Sequence, residues 1–260
     1  VKLIDYTLTC KEKYPTATLI PFGDVHADDA GFVESLFDEC LAEIIETPNC
    51  ACIGMGDYRN FLRGAARKHL LAYTADEESF LELSKMVRGN VEEFYKRKIR
   101  PIQKKLIGLI EGNHFFKFED STTCTQYLCQ LAGVPYLTEM AGIRFKVQGN
   151  DYTKVFVIVA HHGHWSGGYS RVGGDLNAVE MKSWPWECDI ALYGHTHRKS
   201  VHHSPIMQIP GRGALRLLER PKVLIRTGSF VKGFVEDSPG RYTERKLLPP
   251  NELGRGRPTA

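Results

Sequence analysis

The chain has 260 residues, with 34 lysines and arginines against 31 aspartates and glutamates and a formal net charge of +3. Hydrophobic residues make up 42% and charged residues 25%, the balance of an ordinary globular protein, and the mild charge does not by itself call for nucleic acid or an anionic membrane. No apolar run approaches the roughly 18 residues of a membrane span, there is no signal-peptide pattern, and the seven cysteines lack paired zinc spacing; together these predict a cytoplasmic protein with reduced, mostly buried thiols.

In chain order, an apolar run over 18–20 leads into Gly23-Asp24-Val25-His26. A helix follows, with Asp28 or Asp29 as its cap, Phe32 to Ile45 at helical spacing, and Pro48 closing it. Residues 51–55 read as a strand ending at Gly56-Asp57. From Phe61 to Lys105 the chain reads as Lys- and Arg-rich helix with a break near Gly89-Asn90. A strand over 106–110 ends at Glu111-Gly112-Asn113-His114, and a helix over 123–132 stops at Gly133. A meander covers 136–147. The apolar strand 155–159 ends at His161-His162, and 190–193 ends at Gly194-His195-Thr196-His197. Strands over 223–227 and 230–235 complete the set. Alternating helices and strands in the first half, and strands in the second, predict an α/β protein with two mixed sheets and helices outside. The organisation expected is one domain over 1–250, with a basic helical segment at about 61–105 and a surface tail over 251–260.

Five apolar strands thus each end in a short polar motif: Asp24-Val25-His26, Gly56-Asp57, Gly112-Asn113-His114, His161-His162-Gly163 and Gly194-His195-Thr196-His197. Ligands of open α/β sheets bind beyond the carboxyl ends of strands, so these motifs converge whatever their sequence separation. Imidazole, carboxylate and one amide oxygen suit manganese, iron, zinc or nickel, and no thiolate joins them. Asp-x-His and His-x-His place alternate side chains on one side of an extended strand end. Two metals about 3.5–4 Å apart need a shared carboxylate, and Asp57, alone behind its glycine, is the natural bridge. Any one motif alone is more readily a cap or turn; their joint occurrence in order points to chemistry.

The ordered motifs resemble the calcineurin-like metallophosphoesterase superfamily, and they span Asp24 to His197. The closing segment, Arg226-Thr227-Gly228-Ser229-Phe230 followed by Tyr242-Thr243-Glu244 and Pro249-Pro250, also resembles phage- and prophage-encoded members. The resemblance implies a four-layer αββα sandwich. It assigns Asp24, His26 and His197 to one metal and Asn113, His162 and His195 to the other, with Asp57 bridging and His161 as the fallback for His162. His114 resembles the family's non-ligand histidine beside the leaving group, and Asn60 fits a position where members carry an aspartate or asparagine and is a candidate substrate contact. The implied cofactors are two divalent ions, manganese first, with iron, zinc or nickel accepted by the same ligands. The implied reaction is hydrolysis of a phosphate ester by in-line attack of an activated water, with His114 as the proton donor.

Other features carry less. The basic run from Arg88 to Lys105 could guide a polyanion such as DNA or RNA, although a solvated helix face balanced by Glu92 and Glu93 is the simpler reading. His164, Tyr169 and Arg171, with Trp165, lie in a Gly-rich loop that could stack a base and pair with phosphate. His202 and His203 read as a surface strand, and Trp184 and Trp186 as packing. Three functions follow: a phosphodiesterase on nucleic acid or nucleotides, a phosphomonoesterase on a nucleotide, protein or small metabolite, and an inactive binding scaffold of the same fold.

Overall fold

The computed structural model describes residues 1–60, 77–163, 180–213, 215–236, 243 and 250–255. Two β-sheets lie face to face. The smaller holds β2 (Thr18–Phe22), β3 (Cys50–Gly54) and β4 (Leu106–Leu109), all parallel, in the order β2-β3-β4. Strands β3 and β4 are buried along their whole length, as parallel strands covered on both faces must be. The period-2 alternation of side chains is visible in β3. Cys50 and Cys52 point into a helix-covered core, while Ala51, Ile53 and the following Met55 point into the core between the sheets.

The larger sheet contains β1 (Lys2–Thr9), β5 (Met140–Gln148), β6 (Thr153–His161), β7 (Ile190–Tyr193) and β11 (Val223–Ser229), with β8 (Lys199–His203) and β12 (Gly254–Arg255) pairing with β11. It is mixed: β5 and β6 are antiparallel, β6, β7 and β11 run parallel, and β8 and β12 are antiparallel to β11. One face supplies Ile143, Phe145, Ile158, Ala160, Leu192 and Ile225 to the inter-sheet core. The other carries Val159, Ala191, Tyr193 and Leu224 beside Cys188. A small antiparallel ribbon, β9 (Ile206–Gln208) with β10 (Leu218–Arg220), stands apart from both sheets.

Helices α1 (Glu34–Glu46), α2 (Glu77–Phe94) and α3 (Cys124–Ala132) cover the smaller sheet. Phe37, Cys40, Leu41 and Ile44 of α1, Val87, Val91 and Phe94 of α2, and Leu128 and Cys129 of α3 fill the core beneath them. A short helical piece over 180–183 is tied to the larger sheet by Lys222, whose buried Nζ donates to the carbonyls of Ser183 and Trp186. The architecture is therefore two sheets flanked by helices, as the motif order implies. No described helix is long and apolar enough to cross a membrane.

Several sequence-based expectations shift. Helix α1 starts at Glu34 rather than after Asp28 or Asp29; Asp29 instead accepts from Gly31 N in a tight turn, and Asp28 accepts from Asn60 N. Helix α2 runs unbroken through Gly89-Asn90, because Val87, Val91 and Phe94 anchor its buried face while Gly89 points into open space. Residues 230–235 form no strand, only a bridge from Val231 to Phe32. Trp184 and Trp186 are 79% and 40% exposed, so they are not packing residues. Residues 251–255, expected as the start of a tail, include β12 and lie against the site described next. All seven cysteines are buried.

Candidate metal centre

Each of the five motifs begins where its strand stops, and neighbouring strands in parallel register bring those ends to one edge. Backbone bonds then stitch the turns together. Asp24 N donates to Gly56 O, His26 N to Asp57 O and Gly194 N to His162 O, each at 3.0 Å. The Asp24 carbonyl accepts from Ser229 Oγ at 3.0 Å and Phe230 N at 3.2 Å, which ties β11 to the same turn.

Sharp turns at strand ends demand unusual backbone. Asp24, His26, Asp57, His195 and His197 all have φ between 45° and 66°, in the left-handed region that side chains with a Cβ disfavour. Such conformations cost on the order of 1 kcal/mol or more per residue and persist where surroundings over-determine them, typically at functional sites. Gly112 shows how tight the packing is: a Cβ there would overlap Asp57 Oδ1.

Two groups of side chains result. Asp24, His26 and His197 form one, and Asp57, His162 and His195 the other; within each, one donor atom per residue lies within 4.8 Å of the rest. Asn113 Oδ1 sits 2.9 Å from His162 Nε2 and 2.8 Å from His195 Nδ1, which adds an amide oxygen to the second group. Asp57 Oδ2 lies 3.2 Å from His162 Nε2 and 3.8 Å from His26 Nε2, between the groups. His162 reaches inward while its Nδ1 donates to Met55 O at 2.7 Å; the neighbouring His161 turns away and its Nδ1 accepts from Gly163 N. Between the two adjacent histidines, His162 is the one brought to the centre.

The electrostatics suit cations. Asp24 and Asp57 are 0% and 3% exposed, and the positive charges acting on them come from imidazoles. Burial pushes the Asp57 carboxyl up, yet His162, His26 and His114 together hold it below the usual carboxylate range; His197 does the same for Asp24. Burial drives His26 and His195 down to about 4, keeping them neutral. For His162, burial acts downward but the Asp57 carboxylate prevails and raises it to about 9. Asp24 Oδ1 is buried and makes no hydrogen bond among the described residues. Two buried carboxylates, the neutral imidazoles of His26 and His195 and an orphan oxygen form a nitrogen–oxygen donor set that fits two divalent ions.

The remaining predicted residues fall out as follows. His114 packs edge-on to His26 with ring centroids 5.0 Å apart, and its Nε2 is 3.9 Å from Asp57 Oδ2. Asn60, a candidate substrate contact, places Oδ1 2.8 Å from His26 Nδ1. His164, Tyr169 and Arg171 lie outside the described residues. Much of the basic run braces helices: Arg88 pairs with Glu119 and Asp120, Arg97 with Glu34 and Glu93, buried Lys98 with Glu34 and Asp38, and Lys105 Nζ donates to three carbonyls at the end of α1. The structure also adds residues the motifs did not reveal. Asn251 Nδ2 lies 3.0 Å from His197 Nδ1, and Glu252 N donates to His197 O. They directly follow Pro249-Pro250, but nothing in that segment marks a contact with a metal-ligand histidine.

Fold and site together define a two-sheet α/β protein with two groups of potential metal ligands at the carboxyl ends of its strands. The sequence matches no family model and no curated protein. Among solved structures it is similar to a conserved uncharacterized protein, a predicted phosphoesterase, from Streptococcus pneumoniae (16% identity, 82% of this chain and 72% of that one, TM-score 0.31). It is also similar to a single mutant of Vps29 from Entamoeba histolytica (15% identity, 86% and 81%, TM-score 0.37) and to vacuolar protein sorting 29 from Cryptosporidium parvum (16% identity, 86% and 79%, TM-score 0.37). These are distant likenesses, and the functional reading rests on the site itself.

Proposed function

We propose that the chain is a dinuclear metal-dependent phosphoesterase that hydrolyses phosphodiesters of nucleotides or nucleic acid. The observation that carries this reading is the Asp57 carboxylate, which belongs to one group at 3.2 Å from His162 Nε2 and also reaches 3.8 Å from His26 Nε2 of the other, the arrangement a shared ligand of two ions requires. Asp24, His26 and His197 would hold one ion, Asn113, His162 and His195 the other, and Asp57 both. Divalent ions there, manganese foremost, would supply Lewis acidity toward phosphoryl oxygens and lower the pKa of water.

The chain's own residues have separate tasks. Asp57 is fixed for its role by His114 N, which donates to its Oδ1 at 2.9 Å, leaving Oδ2 to the centre. His195 N donates to Asp24 Oδ2 at 2.9 Å and holds that carboxylate in the same way. His114 keeps Nε2 toward the centre and is placed to give a proton to the departing ester oxygen. The diester preference follows from charge. A monoester dianion calls for lysine or arginine around its terminal oxygens, whereas among the described residues the charges facing Asp24 and Asp57 belong to imidazoles.

The test is an activity panel with manganese: a nitrophenyl monoester, a bis-nitrophenyl diester and single- and double-stranded DNA. Diester turnover exceeding monoester turnover supports the proposal. Monoester turnover with inert diesters transfers the site to phosphomonoesters, and silence on every substrate with metal bound leaves a binding scaffold.

A further inference from the structure

Two asparagines touch the Asp24–His26–His197 group from outside, and their orientations fix the protons of its two imidazoles. Asn60 Nδ2 donates to Asp29 Oδ2 at 3.1 Å, which leaves Oδ1 facing His26 Nδ1 at 2.8 Å. A carboxylate only accepts, so the amide cannot be turned round without setting oxygen against oxygen. His26 therefore carries its proton on Nδ1 and turns the lone pair of Nε2 inward, the form a metal ligand needs.

Asn251 is held the opposite way. Its Nδ2 donates to the Val231 carbonyl at 2.8 Å and its second N–H faces His197 Nδ1 at 3.0 Å. Nδ1 accepts, so His197 keeps its proton on Nε2, the nitrogen that lies 3.3 Å from Asp24 Oδ1 and 3.2 Å from His26 Nε2. That single Nε2–H then faces both the Asp24 carboxylate and the lone pair of His26 Nε2. The outer links are directed: Asn251 donates to His197, His26 to Asn60 and Asn60 to Asp29. Asn251 is itself held in place, since Glu252 N donates to His197 O at 2.9 Å and Gly254–Arg255 pair with Gly228–Ser229.

We propose that Asn251 is a positioning residue that holds His197 in the Nε2–H form and so opposes cation binding at the group that Asn60 prepares for it. This rests on the reading that Asp24, His26 and His197 are metal ligands. For His197 to ligate through Nε2, its proton must pass to Nδ1, where it meets the Asn251 amino group. The amide must then rotate, present Oδ1 to Nδ1–H and give up its bond to Val231.

The two asparagines have opposite signs, which a merely structural role does not give. Replacing Asn251 with aspartate supplies an acceptor for Nδ1–H, and Asn251→Asp tightens Mn²⁺ at this group by about 10-fold; Asn60→Ala weakens it by about 10–100-fold. Calorimetric titration of the metal-free protein with Mn²⁺ reads both changes. In parallel, ¹⁵N spectra of histidine-labelled, metal-free protein read the tautomers without any substitution: Nδ1–H at His26 and Nε2–H at His197, the latter moving to Nδ1–H in Asn251→Asp. Nδ1–H at His197 in the unsubstituted protein overturns the inference, as does normal Mn²⁺ binding that Asn251→Asp leaves unchanged or weakens. No Mn²⁺ binding by any form overturns the metal reading and this inference with it.

Discussion

His114 and Asp57 illustrate how single residues divide the work. His114 Nε2 is 3.9 Å from Asp57 Oδ2, near enough to sense the centre yet outside both ligand groups. We expect His114→Ala to retain its metal content while losing about 10²–10⁴-fold in turnover, the range of a general acid. The loss shrinks for a nitrophenolate leaving group, which departs without a proton, and comparing alkyl and nitrophenyl diesters measures the difference. An emptied metal site in that variant makes His114 a ligand instead. Gly112 tests the tight turns from the other side. A Cβ there strikes Asp57 Oδ1 and the Asp57 backbone, so Gly112→Ala displaces the shared carboxylate. The expected outcome is loss of bound metal with the fold preserved, read by elemental analysis beside circular dichroism. At this scale the sequence was informative because each ligand-type residue follows an apolar strand. Asn251 was not legible: its partner His197 lies 54 residues away and its surroundings are polar.

At the scale of elements, local chemistry and tertiary packing contribute unequally. Helix α3 is declared by its own residues: Thr123 and Gln126 form a capping box, and Gly133 at φ 64° ends it. Thr123→Ala should cost about 1–2 kcal/mol, since it removes the cap and the hydroxyl that donates to buried Glu111. Urea denaturation gives that number, and no change would show the cap to be redundant. Strands β3, β6 and β7 were visible as apolar runs for the same local reason. Elsewhere packing overrode the pattern. Gly89-Asn90 looks like a break, but the buried stripe of α2 carries the helix across it. Strand β1 went unread because its alternation, Ile4, Tyr6 and Leu8, covers the inter-sheet core from an edge with Leu3 left exposed. The basic run was ambiguous for a different reason. Charge composition cannot tell a solvated face from a brace, and Lys98 and Lys105 found their partners only when α1 packed beside them.

Across the whole molecule, cores on both sides of the smaller sheet hold the five motif-bearing turns in place, and buried thiols line them. Burial pushes Cys124 and Cys129 up to about 12. A group whose pKa is higher folded than unfolded stabilises fully below the unfolded value and loses that contribution as pH rises through the folded one. Stability should therefore fall between about pH 9 and 12, as the unfolded chain ionises thiols that the fold keeps neutral. Native protein at pH 8 should resist alkylation at both cysteines until denaturant is added, and mass spectrometry of the alkylated protein checks this. The same rigid frame fixes the distance between the two ligand groups, on which the proposed chemistry depends. The most direct test titrates metal-free protein with Mn²⁺ while following hydrolysis of a bis-nitrophenyl diester in the same samples. The account predicts two ions bound per chain, with activity reaching its plateau only as the second binds, and loss of both in Asp57→Asn. A plateau at one equivalent, or two bound ions with no diester hydrolysis, would contradict it.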